Sequence, residues 1–277
     1  MNILAVGDSF TAGCELADHI LVPQHPGYFG PGQKRSEQLE ATLQEWNKKF
    51  RLPVIDKQYS SSEVLSETQR LEKSFTYPNL LAKKLGCEVL NFAESGNSMW
   101  GITKSLYDYS LFNDVSNTIV FYQPTSIGRI SQFDGRGHRT FLFSNFENYD
   151  TITQEMKTLL KLKIAMENDE SLLIEWFKEY LSCVQLLENL NFKKFYIVEV
   201  GFYSLIQDTA VKIKKLTNYL FLNEKKYKQY YANLGHETFL LNDIGINETH
   251  CVGQHYAPIV HERFADRLYA ELQEQNL

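Results

Sequence analysis

The chain has 277 residues, 43% hydrophobic and 13% aromatic, enough to bury a full core, which excludes a disordered, collagen-like or disulfide-stapled mini-protein class. Its 28 Lys plus Arg against 34 Asp plus Glu give a formal charge of −6, so general attraction to nucleic-acid backbones or anionic lipid is disfavoured. Cys14, Cys87, Cys183 and Cys251 lie far apart with no C-x-x-C pair and read as reduced thiols.

Along the chain, Asn2–Val6 is a short apolar run closed by Gly7, the pattern of a parallel strand covered on both faces. Similar runs at 87–92, 117–122, 195–200 and 238–241 predict further strands, separated by stretches that can hold helices. That alternation predicts an α/β fold with a parallel sheet of about five strands. Leu173, Trp176, Phe177, Tyr180, Val184 and Leu187 follow helical spacing and predict one long amphipathic helix before the fourth strand. Pro258 suits a first helical turn, and Val260, Phe264, Leu268 and Leu272 repeat every four residues, so a last helix is expected to begin just after His255. Regions 23–74 and 126–153 break the pattern and read as insertions into a single domain, 1–277. Because they follow the first and third strands, they are expected at the carboxyl edge of the sheet, where open α/β sheets bind ligands.

No apolar run approaches the roughly 18 residues of a membrane helix. Met1–Val6 leads straight into Gly7-Asp8-Ser9 without the parts of a secretory signal, so a cytoplasmic protein with no membrane association is expected. The basic and aromatic stretch from Lys212 to Tyr231 reads as a solvated helix face rather than a nucleic-acid surface.

Gly7-Asp8-Ser9-Phe10 closes the first strand, where a serine entering a helix has an exposed hydroxyl beside free backbone N–H groups, a geometry suited to a nucleophile. Asp8 is expected to N-cap that helix. A serine nucleophile needs a base, and His255 lies in the loop before the last helix, again at the carboxyl edge. These residues resemble the SGNH (GDSL-like) hydrolases, a flavodoxin-like, three-layer α/β family of esterases and related acyl hydrolases. Gly7-Asp8-Ser9-Phe10 is similar to the block that carries the nucleophile, whose own N–H contributes to the oxyanion hole. The run Asn91-Phe92-Ala93-Glu94-Ser95-Gly96-Asn97-Ser98 is similar to the block whose glycine supplies a second oxyanion N–H, which implies that role for Gly96. His255, with His261, Ala265 and Leu268 after it, resembles the final block, whose first histidine is the base.

Two positions depart from that family. Where its third block reads G-x-N-D, this chain has Tyr122-Gln123-Pro124-Thr125-Ser126, so Gln123 is the expected side-chain oxyanion donor, with Asn97 and Thr125 as further candidates. The family's aspartate two or three residues before the base is replaced by Gly253 and Val252. A main-chain carbonyl near Val252, or the carboxylate of Asp243 or Glu248, is then expected to orient His255. His250, Cys251, His255, His261 and Asp243 include zinc-ligand types, but H-x4-H-x5-H is no established ligand spacing, so neither metal nor other cofactor is expected, and His261 is expected to cap or pack in the first helical turn. The expected function is a serine hydrolase that cleaves carboxylic esters, O-acetyl groups among them, of a small-molecule or carbohydrate substrate through an acyl-enzyme. The alternative is a catalytically impaired module of the same fold that binds a carbohydrate, an acylated ligand or a protein partner. Tyr28, Phe29, Lys34 and Arg35 in the first insertion either shape the pocket or serve contacts in a homo-oligomer.

Overall fold

The structure is a computed structural model and describes residues 1–13, 16, 72–94, 97–125, 129–134, 137–142, 153–166, 169–200, 228–234, 236–246, 255–275 and 277. Its architecture is the expected three-layer α/β one, a five-stranded parallel sheet flanked by helices. The sheet strands are β1 (Asn2–Val6), β2 (Glu88–Asn91), β3 (Thr118–Tyr122), β6 (Lys194–Glu199) and β7 (Tyr231–Asn233). Their order, β2-β1-β3-β6-β7, is that of flavodoxin-like sheets. Two further strands, β4 (Arg129–Asp134) and β5 (Gly137–Leu142), form a separate antiparallel hairpin inside the predicted second insertion. The chain divides into two compact units, Met1–Thr11 with Cys87–Gly235, and Ala12–Gly86 with His236–Leu277.

The first unit holds the sheet. Successive residues of a strand point to opposite faces, and Ile3 to Val6 and all of β3 are buried, so both faces of the central strands are covered. On one face Leu4, Val6, Val120 and Tyr122 pack with two helices, α3 (Met99–Phe112) and α5 (Asp169–Asn189). Helix α5 is the predicted amphipathic helix: Leu173, Trp176, Phe177, Tyr180, Val184 and Leu187 are all buried. On the other face Phe121 stacks on Tyr196 with ring centroids 5.2 Å apart.

The second unit pairs α2 (Tyr77–Leu85) with α7 (Pro258–Glu274). Helix α7 starts at Pro258 as expected and buries Val260, Phe264, Leu268 and Leu272. Phe264 meets Tyr77 edge-on at 4.9 Å, and Lys84 pairs with Asp266 at 2.7 Å.

One predicted strand is corrected. Residues 238–241 lie within a helix, α6 (His236–Asp243), and the fifth strand is β7. Thr-Phe-Leu-Leu is too short for its apolarity to separate strand from helix. What decides it is that Glu237 and Leu241, four apart, are buried together, with Glu237 paired to Arg267 of α7 at 2.7 Å. The end of the basic and aromatic stretch is also no solvated helix face. Lys228–Tyr230 is a 3₁₀ turn, Tyr230 stacks on Phe195 at 4.1 Å, and Tyr231 enters β7 with its hydroxyl 3.0 Å from that of Tyr180. The rest of that stretch lies outside the described residues.

Candidate active site

Strands β1 and β3 run in parallel with Val6 opposite Tyr122, and the N–H of Gln123 donates to Val6 O at 2.9 Å, so Gly7 and Gln123 leave the sheet side by side. This is where the strand order reverses, because β1 has β2 on one side and β3 on the other. Only glycine permits so close an exit: a Cβ on Gly7 would lie 2.9 Å from both Cβ and Oε1 of Gln123. The chain then turns into a short helix, α1 (Ser9–Ala12). Asp8 caps it as expected, its Oδ1 accepting from the Phe10 N–H at 3.2 Å. Ser9 is therefore the first helical residue, at the end where backbone N–H groups have no partner within the helix.

Asp8 does more than cap. Its side chain is fully buried, and burying a carboxylate is costly unless it is paired and hydrogen-bonded. Gln123 Nε2 donates to Oδ1 at 2.5 Å, Thr125 Oγ1 donates to Oδ2 at 2.8 Å, and Arg129 Nη2 lies 3.7 Å from Oδ2. Gln123 Oε1 in turn accepts from the N–H groups of Asp8 at 3.3 Å and Thr11 at 3.1 Å. Turning this amide over would set its NH₂ against two backbone donors, so the network fixes its orientation. Its Nε2 also donates to Pro124 O at 3.3 Å, and the residue is fully buried. The amide proposed from sequence as an oxyanion donor is thus spent on Asp8 and the main chain. Of the two further candidates, Thr125 is likewise turned to Asp8, with its carbonyl held by α5 through Trp176 Nε1 at 2.7 Å, and Asn97 Nδ2 donates to Gly7 O.

The segment after β2 wraps the exit of β1. Gly7 O accepts from the Glu94 N–H and from Asn97 Nδ2, both at 3.3 Å, while Asn91 Nδ2 donates to Thr11 O at 3.1 Å. Ser98 then N-caps α3, accepting from the Gly101 N–H at 3.1 Å. Gly96 lies outside the described residues.

The structure thus gathers Asp8, Ser9, Asn97, Gln123 and Thr125 at one edge of the first unit. Arg129, which the sequence reading missed, joins them; a lone arginine opening an insertion carries no signal of this contact. His255 belongs to the second unit, half-buried, three residues before α7. Asp243, a proposed acid, is the exposed last residue of α6. Glu248, His250, Cys251, Val252, Gly253 and Cys14 lie outside the described residues, as do Tyr28, Phe29, Lys34 and Arg35. His261 sits in the first turn of α7, but it caps a different helix. Its Nδ1 accepts the Tyr77 N–H at 3.3 Å, at the start of α2, where Thr76 makes no side-chain cap and instead donates to Lys73 O at 2.7 Å. Burial, with the charge of His255 adding to it, pushes the His261 pKa down to about 3, so the ring is neutral and Nδ1 is free to accept. Among the described residues no group of three or more His, Cys, Asp or Glu side chains is placed to hold a metal, and no helix is long and apolar enough to cross a membrane.

No family model and no curated protein matches the chain. Among solved structures it is similar to a G-D-S-L family lipolytic protein from Desulfitobacterium hafniense DCB-2, at 9% identity over 97% of this chain and 98% of that one, with a TM-score of 0.44. It is also similar to a lipolytic G-D-S-L family member from Veillonella parvula DSM 2008, at 10% identity over 99% and 97% of the two chains, with a TM-score of 0.44. A third likeness, at 14% identity and a TM-score of 0.39, covers 99% of this chain and 64% of a carbohydrate esterase whose active site displays divergent catalytic and non-catalytic binding functions.

Proposed function

We propose that the chain is an SGNH-like serine hydrolase that cleaves carboxylic esters, O-acetyl groups among them, with Ser9 as nucleophile and His255 as base. The observation that carries the reading is the setting of Ser9: first residue of a helix, directly after the central strand, at the point where the strand order reverses. In the proposed reaction Ser9 Oγ attacks the ester carbonyl while His255 takes its proton, and the oxyanion is held by the N–H groups of Ser9 and Gly96. Collapse expels the alcohol, which takes the proton back from His255, and leaves an acyl-serine. Water, deprotonated by His255, then releases the acid and restores Ser9. A main-chain carbonyl near Val252, or the carboxylate of Asp243 or Glu248, orients the imidazole. Gln123 and Thr125 serve the site through Asp8, whose cap sets the first turn of α1.

Labelling with a fluorophosphonate tests this. Wild type is expected to gain one covalent adduct, on Ser9, and both Ser9→Ala and His255→Ala are expected to lose it together with turnover of acetyl esters. An unlabelled wild type, or equal labelling of Ser9→Ala, overturns the nucleophile.

One observation favours a second reading, a binding module without turnover: the Gln123 amide faces Asp8, leaving the side-chain oxyanion donor of the family pattern unfilled. Binding of an acylated sugar that is unaffected by Ser9→Ala and His255→Ala, with no ester turnover, would favour it.

A further inference from the structure

We propose that Arg129 is a positioning residue: from the base of the β4–β5 hairpin it clamps the loop before Ser9 to the loop after β2, and so holds the turn that presents Ser9. The proposal rests on the reading of Ser9 as nucleophile.

The guanidinium reaches both loops at once. Nη1 donates to Asn97 O at 3.0 Å, next in the chain to Gly96, and Nη2 lies 3.7 Å from Oδ2 of Asp8, next in the chain to Ser9. Apart from Arg129, the two segments also meet through long contacts on Gly7 O, from Glu94 N and Asn97 Nδ2, each at 3.3 Å, and through Asn91 Nδ2, which donates to Thr11 O at 3.1 Å. Among the described residues Arg129 is also the one cation within 4.0 Å of the buried Asp8 carboxylate. The side chain is 11% exposed, and its Nε is sealed from solvent with no hydrogen-bond partner among the described residues. A buried, unmatched donor costs stability, so this arginine is poorly explained as a stabilising contact. A lysine carries one point of charge and lacks the planar fork that spans two acceptors. The hairpin, an insertion by sequence, thereby becomes part of the site's frame, and α3 packs against β4 from the same unit.

Misplacing a catalytic group by about 1 Å can cost on the order of 100-fold in rate. Arg129→Gln is therefore expected to lower the fluorophosphonate labelling rate and kcat by about 10- to 100-fold with little change in KM, and added guanidinium is expected to restore part of the loss. Amide hydrogen exchange is expected to rise together in segments 7–13 and 93–98. Arg129→Lys, which also serves if Arg129→Gln does not fold, is expected to fall between the two. Wild-type labelling by either variant, or exchange that rises in one segment or neither, overturns the clamp. If wild type itself does not label, the nucleophile reading fails while the clamp is judged on exchange alone: a joint rise sustains it and no joint rise overturns it.

Discussion

Lowering the pH should unfold this protein partly through one histidine. His261 Nδ1 accepts the Tyr77 N–H at the start of α2, its ring lies parallel to Tyr77 at 6.0 Å, and it is 1% exposed. Its pKa is pushed down to about 3, first by burial and then by His255. In the unfolded chain a histidine titrates near the ordinary value of about 6.5. The unfolded state therefore takes up the proton first, and the contribution of neutral His261 is complete above about pH 6.5 and lost as the pH falls toward 3. Over that window the loss totals about 5 kcal/mol, at about 1.4 kcal/mol per pH unit in its middle. His261→Phe keeps a ring beside Tyr77 but offers no acceptor, so the hydrogen bond from the buried Tyr77 N–H is lost at a cost of about 1–2 kcal/mol near neutral pH. Urea unfolding of both proteins across the window should show the variant less stable at neutral pH and the two curves crossing between about pH 5 and 6, where the protonation loss of wild type reaches about 1–2 kcal/mol. Carboxylates elsewhere act on both proteins and cancel in the difference. If the two stability curves run parallel through this range, His261 does not carry the acid sensitivity and the capping account is wrong.

Two substitutions probe the turn around Ser9. Gly7→Ala places a methyl 2.9 Å from Gln123 Cβ and Oε1, so a loss of about 1–3 kcal/mol in urea unfolding is expected; a neutral result would mean that the strand exits are not so close. Thr125→Val removes the hydroxyl that donates to Asp8 Oδ2 at 2.8 Å and should cost about 1.5–3 kcal/mol, whereas Thr125→Ser, which retains that hydroxyl, should recover most of the loss.

Much of the frame was legible in the sequence because burial leaves a local trace. Strands covered on both faces must be apolar at successive positions, which exposed β1, β3 and β6, and helices packed on one side must repeat every three to four residues, which exposed α5 and α7. The placement of Gly7-Asp8-Ser9 at a strand exit follows from the same local pattern. Strand β7, three residues at the sheet edge, is too short to leave a trace, and 238–241 is apolar without a period, so its helix was settled by Glu237 meeting Arg267 thirty residues away. The direction of the Gln123 amide was likewise beyond reach: a side-chain amide donates or accepts as its neighbours require, and these neighbours, Asp8 and Thr11, are 115 and 112 residues distant. His261 reads from sequence as a residue of the last helix, yet its acceptor nitrogen serves the start of another, 184 residues away. Sequence determined which segments must be buried, because that depends on each segment's own apolar pattern; which polar groups satisfy one another once buried depends on the partners that folding brings together, and only the tertiary structure decided that.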